Sequence, residues 1–83
     1  MVYKINFKKS VYKDLKRISK PEVKKILDKI DQILPKKAND FPALKGKFSG
    51  MRKFSIGYYR IIYVIMEKEV LILRIYHRKE VYK

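Results

Sequence analysis

Lys53, Arg60, Arg74, Tyr76 and Arg78 lie in a stretch of this chain that otherwise reads as β-strand. Cations interleaved with tyrosines suit single-stranded nucleic acid, because the charges hold phosphates while the rings stack on bases. Four of the five arginines, Arg52, Arg60, Arg74 and Arg78, fall in this C-terminal strand region, whereas the lysines are spread along the chain. Arginine is the better side chain for bidentate phosphate contacts, so the clustering says more than net charge does. Arg60 is the sharpest case. It sits inside Ser55-Ile56-Gly57-Tyr58-Tyr59-Arg60-Ile61-Ile62-Tyr63-Val64, where an unpaired cation would be costly to desolvate. Either its face of the sheet is open to water, or it meets an anion.

The elements that must position these residues follow from periodicity. Tyr3, Ile5 and Phe7 alternate with Lys4, Asn6 and Lys8, which predicts a strand with one buried face. Ser10 is placed to cap a helix with apolar positions Val11, Leu15 and Ile18. Ser19-Lys20-Pro21-Glu22 has the capping-box pattern, and the helix it starts presents Val23, Ile26, Leu27, Ile30, Ile33 and Leu34 until Pro35 stops it. After an irregular connection over Lys36 to Pro42 come approach turns at Leu44-Lys45-Gly46 and Ser49-Gly50. Three strands are then predicted, at about Met51–Ile56, Tyr59–Met66 and Val70–His77. The expected fold is α+β: an N-terminal strand and a two-helix hairpin packed on one face of a twisted antiparallel sheet, completed by a C-terminal three-strand meander.

Turn lengths decide which side chains share a face. A two-residue Gly57-Tyr58 hairpin pairs Ser55 with Arg60 and Lys53 with Ile62. A three-residue Glu67-Lys68-Glu69 loop pairs Arg60 with Tyr76 and Ile62 with Arg74. The covered face then holds Phe54, Ile56, Tyr59, Ile61, Tyr63, Ile65, Leu71, Leu73 and Ile75. The open face collects Lys53, Ser55, Arg60, Arg74, Tyr76 and Arg78. A two-residue second turn would move the last strand by one and scatter the arginines over both faces.

Composition bounds the rest. Eighty-three residues, 47% of them hydrophobic, make a single domain over 1–83 with one two-layer core. A net charge of +14 favours polyanionic partners, although lysine-rich solubility is an equally ready explanation for the lysines as a group. The absence of cysteine excludes disulfides and Cys-based metal sites. The opening residues alternate and lack an apolar signal core, so a cytoplasmic location is expected, with no membrane span and no bound metal or cofactor. His77 is the only histidine, and the register turns it toward the helices, where a structural role is the plainer reading. No cluster has metal-ligand spacing, and no Gly-rich phosphate loop or close pair of carboxylates is present.

Leu44-Lys45-Gly46, Gly57-Tyr58-Tyr59-Arg60-Ile61-Ile62-Tyr63 and His77-Arg78-Lys79-Glu80-Val81-Tyr82 resemble the RelE/ParE superfamily of toxin–antitoxin toxins. The order of strand, two helices and three-strand meander is similar as well. The resemblance implies a small toxin neutralised by a cognate acidic antitoxin, which in the RelE branch cleaves mRNA on the ribosome without a metal. Carried over by position, it puts the family's catalytic residues at Lys53, Arg60, Arg78 and Tyr82. Arg52, Arg74, Tyr76, Lys45 and Lys47 are the expected RNA contacts. Two positions depart from the pattern: Ser55 and Met51 stand where many relatives carry basic residues.

The implied chemistry asks little of the protein. RNA brings its own nucleophile, the 2′-hydroxyl, whose attack on the adjacent phosphate leaves a 2′,3′-cyclic end. Arginines stabilise charge growing on the phosphoryl oxygens, typically by ~2.7–4 kcal/mol per well-placed donor. A lysine among cations can serve as base, and Tyr82 would stack on the splayed base or help to move a proton. A ParE-type inhibitor of DNA gyrase, which needs no nuclease site, is the alternative; a non-toxic basic RNA-binding module is another.

Overall fold

Strand β1 (Lys4–Phe7) keeps the period-two pattern, with Tyr3 buried and Ile5 and Phe7 packed on the core while Lys4 is exposed. The computed structural model describes residues 2–44, 46 and 50–77. Helix α1 (Lys9–Lys16) begins two residues earlier than expected, with Lys8 rather than Ser10 at its cap position. The Ser10 hydroxyl instead donates to the Leu73 carbonyl at 2.8 Å. Helix α2 (Lys20–Lys37) does start at Ser19, with Pro21 in its first turn, but Ser19 makes no side-chain capping bond. Ile26, Ile30 and Leu34 are its buried stripe, spaced at i, i+4 and i+8.

Pro35 does not stop α2, which runs on to Lys37. A proline removes one hydrogen bond, here to the carbonyl of Asp31, and Asp31 is exposed so that water can take over. The carbonyl of Pro35 accepts the Tyr3 N–H at 2.8 Å and ties the end of α2 to β1.

Strands β2 (Met51–Ile56), β3 (Tyr59–Met66) and β4 (Glu69–His77) form the antiparallel meander, and the sheet order is β1-β4-β3-β2. The α+β class and the layering are as expected. The sheet is mixed rather than wholly antiparallel, because β1 pairs parallel to β4 from Lys4↔Glu69 to Phe7↔Ile72. The two helices and the β2–β3 hairpin separate these strands in sequence, leaving ample chain for a parallel crossover.

The second hairpin corrects one expectation and preserves another. Its turn has two residues, Glu67 and Lys68, closed by Met66↔Glu69, with Glu67 at φ 57. Near the turn, Val70 and Ile72 therefore face the core, fully buried, while Leu71 and Leu73 turn away and are only half-buried. A β-bulge between Tyr63↔Ile72 and Ile62↔Arg74 then absorbs Leu73, and beyond it Arg60 lies opposite Tyr76. The two-residue turn thus leaves the arginines where the longer turn would have put them.

The bulge is also where β4 parts from β1 and α1 takes over its edge. Ser10 and Asp14, one helical turn apart, reach Leu73 and Ile75, two residues apart: Ile75 N–H donates to Asp14 Oδ2 at 3.0 Å. Four helical residues rise about 6 Å and two strand residues about 6.7 Å, so the two periods match over this length. Side chains of α1 thereby satisfy strand groups that would otherwise be an open edge.

Beneath the covered face, Tyr63 is fully buried and donates its hydroxyl to the Ala38 carbonyl at 2.6 Å. Burial, with a smaller push from Asp40 and an opposing pull from Arg52, raises its pKa to about 12. Ala38 opens a 3-10 turn (Ala38–Asp40) whose Asn39 side chain donates to the Tyr3 hydroxyl. No helix among the described residues is long and apolar enough to cross a membrane.

Candidate nucleic-acid interface

The face of the sheet opposite the helices carries a groove of about 610 Å³. Cross-strand register builds it. Lys53 on β2 lies opposite Ile62 on β3, which lies opposite Arg74 on β4; one step along, Ser55, Arg60 and Tyr76 form the next row. Paired residues in a sheet point to the same face, so Lys53, Arg60, Arg74 and Tyr76 converge on it. All four line the groove, over an apolar floor of Leu44, Met51, Ile62 and Leu73, with Lys8 and Ser10 at the end nearest α1. Lys53, Arg60 and Tyr76 are half-buried, with their stems against that floor.

Arg74 is held within this set. Its Nε and Nη2 donate to the two carboxylate oxygens of Asp14 at 3.0 and 3.2 Å. Its side chain stays 56% exposed while that of Asp14 is 12% exposed, so the fork is fixed from the helix side and open from the groove.

Arg52 is not brought to the groove. It lies opposite Tyr63 on the covered face, where Nη1 donates to the carbonyls of Asn39 (3.2 Å) and Phe41 (2.6 Å). Its cation is spent on fixing the 3-10 turn against β2, beside the Phe41–Phe54 ring contact at 4.5 Å. Arg52, expected among the RNA contacts, is thus placed apart from Lys53, Arg60, Arg74 and Tyr76. Lys45, Lys47, Arg78 and Tyr82 lie outside the described residues.

His77 turns toward the helix side, as its register implies, opposite Tyr59. The Tyr59 ring meets it edge-on at 5.2 Å and the Tyr58 ring stacks on it at 6.0 Å. Sequence reasoning missed Lys8 and the apolar floor. Lys8 shares the parity of Lys4 and Asn6, so the alternation of β1 carried its signal; that β1 neighbours β4 did not follow from the alternation. At the two positions that depart from the family pattern, Ser55 is exposed opposite Arg60 and Met51 contributes to the floor.

Comparison with known proteins places this geometry. No curated protein matches the chain. Among solved structures, a toxin–antitoxin RelBE complex from Mycobacterium tuberculosis is similar at 23% identity, over 94% of this chain and 100% of that one, with a TM-score of 0.80. A conserved hypothetical protein from Helicobacter pylori is similar at 25% identity and TM-score 0.72, over 98% and 99% of the two chains. The archaeal RelE–RelB complex from Pyrococcus horikoshii follows at 26% and 0.69, over 94% and 97%. A family model described as the ParE toxin of the type II toxin–antitoxin system, parDE, matches residues 5–82. Nearly the whole chain is spanned by that match, and it belongs to the ParE toxin family of type II toxin–antitoxin systems, within the RelE/ParE superfamily.

Proposed function

We propose that the protein is a ribosome-dependent endoribonuclease toxin that cleaves translated mRNA and is neutralised by an acidic antitoxin. The observation that carries this reading is the convergence of Lys53, Arg60, Arg74 and Tyr76 on one apolar-floored groove. A single strand enters with its bases against Ile62, Leu73 and Tyr76 and its phosphates toward the cations. The 2′-oxygen of one nucleotide attacks the adjacent phosphorus as Lys53 accepts its proton. The bond from phosphorus to the 5′-oxygen breaks, giving a 2′,3′-cyclic phosphate and a 5′-hydroxyl. Arg60 donates to the phosphoryl oxygens as charge builds on them, with Arg78 as its partner and Tyr82 stacking on the splayed base or moving a proton to the leaving oxygen. No metal enters this scheme, since RNA provides the nucleophile and arginine the charge. The ribosome aligns the substrate for a site this open.

The acidic antitoxin follows from the +14 charge and from relatives whose structures hold a RelB antitoxin. A second reading has its own observation. The matching model is that of ParE, and Met51 and Ser55 supply no charge where a nuclease would use it, which favours a non-enzymatic inhibitor of DNA gyrase. Purified protein incubated with programmed ribosomes, and separately with gyrase and supercoiled DNA, tests both. Cuts in ribosome-bound mRNA, absent when Arg60 is replaced by Ala, are the expected result. DNA breaks stabilised on gyrase, with mRNA intact, would replace the first reading by the second.

A further inference from the structure

His77 and the rings around it have no part in the groove chemistry, yet they close the same end of the sheet. Tyr76 borders both the groove and a second, smaller cleft of about 160 Å³, whose walls include Arg17, Tyr59 and His77. Arg17 is exposed at the end of α1, and its guanidinium makes no ion pair or hydrogen bond among the described residues. Tyr58 is 70% exposed at the tip of the β2–β3 hairpin, and it stacks on His77 at an interplanar angle of 20°.

A cross-strand Tyr59–His77 pair alone would stabilise the strand ends. Such a role calls for neither a large ring left in solvent nor a cation at the cleft that has no partner among the described residues. Ring faces beside such a cation are what a single-stranded nucleic acid uses.

We infer that this end of the sheet is a second nucleotide subsite. One nucleotide, next along the strand from those in the groove, places its phosphate at Arg17 and its base on the outer face of Tyr58, extending the Tyr58–His77 stack. The inference rests on the RNA-binding reading of the groove and lengthens the bound strand by a step.

Anisotropy titrations with labelled oligoribonucleotides of increasing length, at fixed salt, test it. For the wild-type protein, affinity rises at the length that first reaches the subsite. Tyr58→Ala should abolish that increment, a loss of about 5- to 150-fold, the range for one base stacked on an aromatic ring. Arg17→Ala should reduce it, both variants should bind shorter oligonucleotides as wild type does, and Tyr58→Phe should restore the increment. Arg60→Ala should weaken every length. If Tyr58→Ala and Arg17→Ala keep the full increment while Arg60→Ala weakens binding, the groove reading stands and the subsite is wrong, also when those variants instead lose affinity for an acidic peptide. If the wild-type protein binds no oligonucleotide, both readings fall together.

Discussion

Asp14 on α1 grips Arg74 on β4 with both carboxylate oxygens and, through Oδ2, also takes the backbone N–H of Ile75. The two partners of this pair are unequal. Removing the arginine leaves a carboxylate that still accepts from Ile75, whereas removing the carboxylate strips a half-buried N–H of its acceptor. Asp14→Ala should therefore cost about 1–3 kcal/mol. Arg74→Ala should cost about 1 kcal/mol or less, as a largely exposed ion pair does. Asp14→Asn, which keeps an acceptor, should fall between them. Urea denaturation of the three variants reads the order directly.

Arg60 separates activity from folding. Its half-buried position on the open face should make Arg60→Ala cost only about 0.5–1 kcal/mol of stability. Cleavage of ribosome-bound mRNA should slow roughly 100-fold or more, the loss expected for one donor to the developing charge. An unfolded variant, or a wild-type cleavage rate, would make Arg60 structural.

The bulge reassigns the core of β4, and truncation can show it. Ile72→Ala should cost about 2–5 kcal/mol through a buried cavity. Leu73→Ala, at a half-buried groove position, should cost about 1 kcal/mol or less. Equal losses at the two positions would contradict the observed register.

Tyr63 gives a pH signature. Its hydroxyl titrates at about 12 in the folded protein against an ordinary value near 10, because burial disfavours the phenolate. The unfolded chain releases the proton first, so this stabilisation is complete below pH about 10 and is lost as pH rises through about 12. Tyr63→Phe should cost about 1–2 kcal/mol at neutral pH for the orphaned Ala38 carbonyl. The wild-type advantage should then shrink across that alkaline window. Subtracting the variant's denaturation midpoints from those of the wild type removes the contribution of the lysines.

Glu67 holds a left-handed φ of 57 in the second hairpin turn, where an L side chain is strained by roughly 1–2 kcal/mol. Glycine adopts that conformation freely but loses about 0.5–1 kcal/mol of chain entropy on folding. Glu67→Gly should raise stability by about 0.5–1 kcal/mol, and Glu67→Val should lower it, as thermal unfolding would register.

Much of the fold was legible because it is written in local alternation. The bounds of β2 and β3, the Gly57-Tyr58 turn and the pairing of Lys53 with Ile62 all follow from period two and a two-residue hairpin. Alternation also put Arg52 on the face away from Lys53, although its carbonyl partners at Asn39 and Phe41 come from a distant turn. The bulge was not legible, since its setting is the end of β1 and the arrival of α1, both remote in sequence. For the same reason Ser10 read as a cap, when it and Asp14 both serve the edge of β4.

The bulge at Leu73 also sets where the chain can change length. Removing that one residue would straighten β4 and still leave Arg74 opposite Ile62 and Tyr76 opposite Arg60. Removing one residue from the Glu67-Lys68 turn would invert every side chain that follows, arginines included. Relatives a residue shorter should carry their gap at the bulge, and toxin-inactivating deletions recovered under selection should gather at the turn.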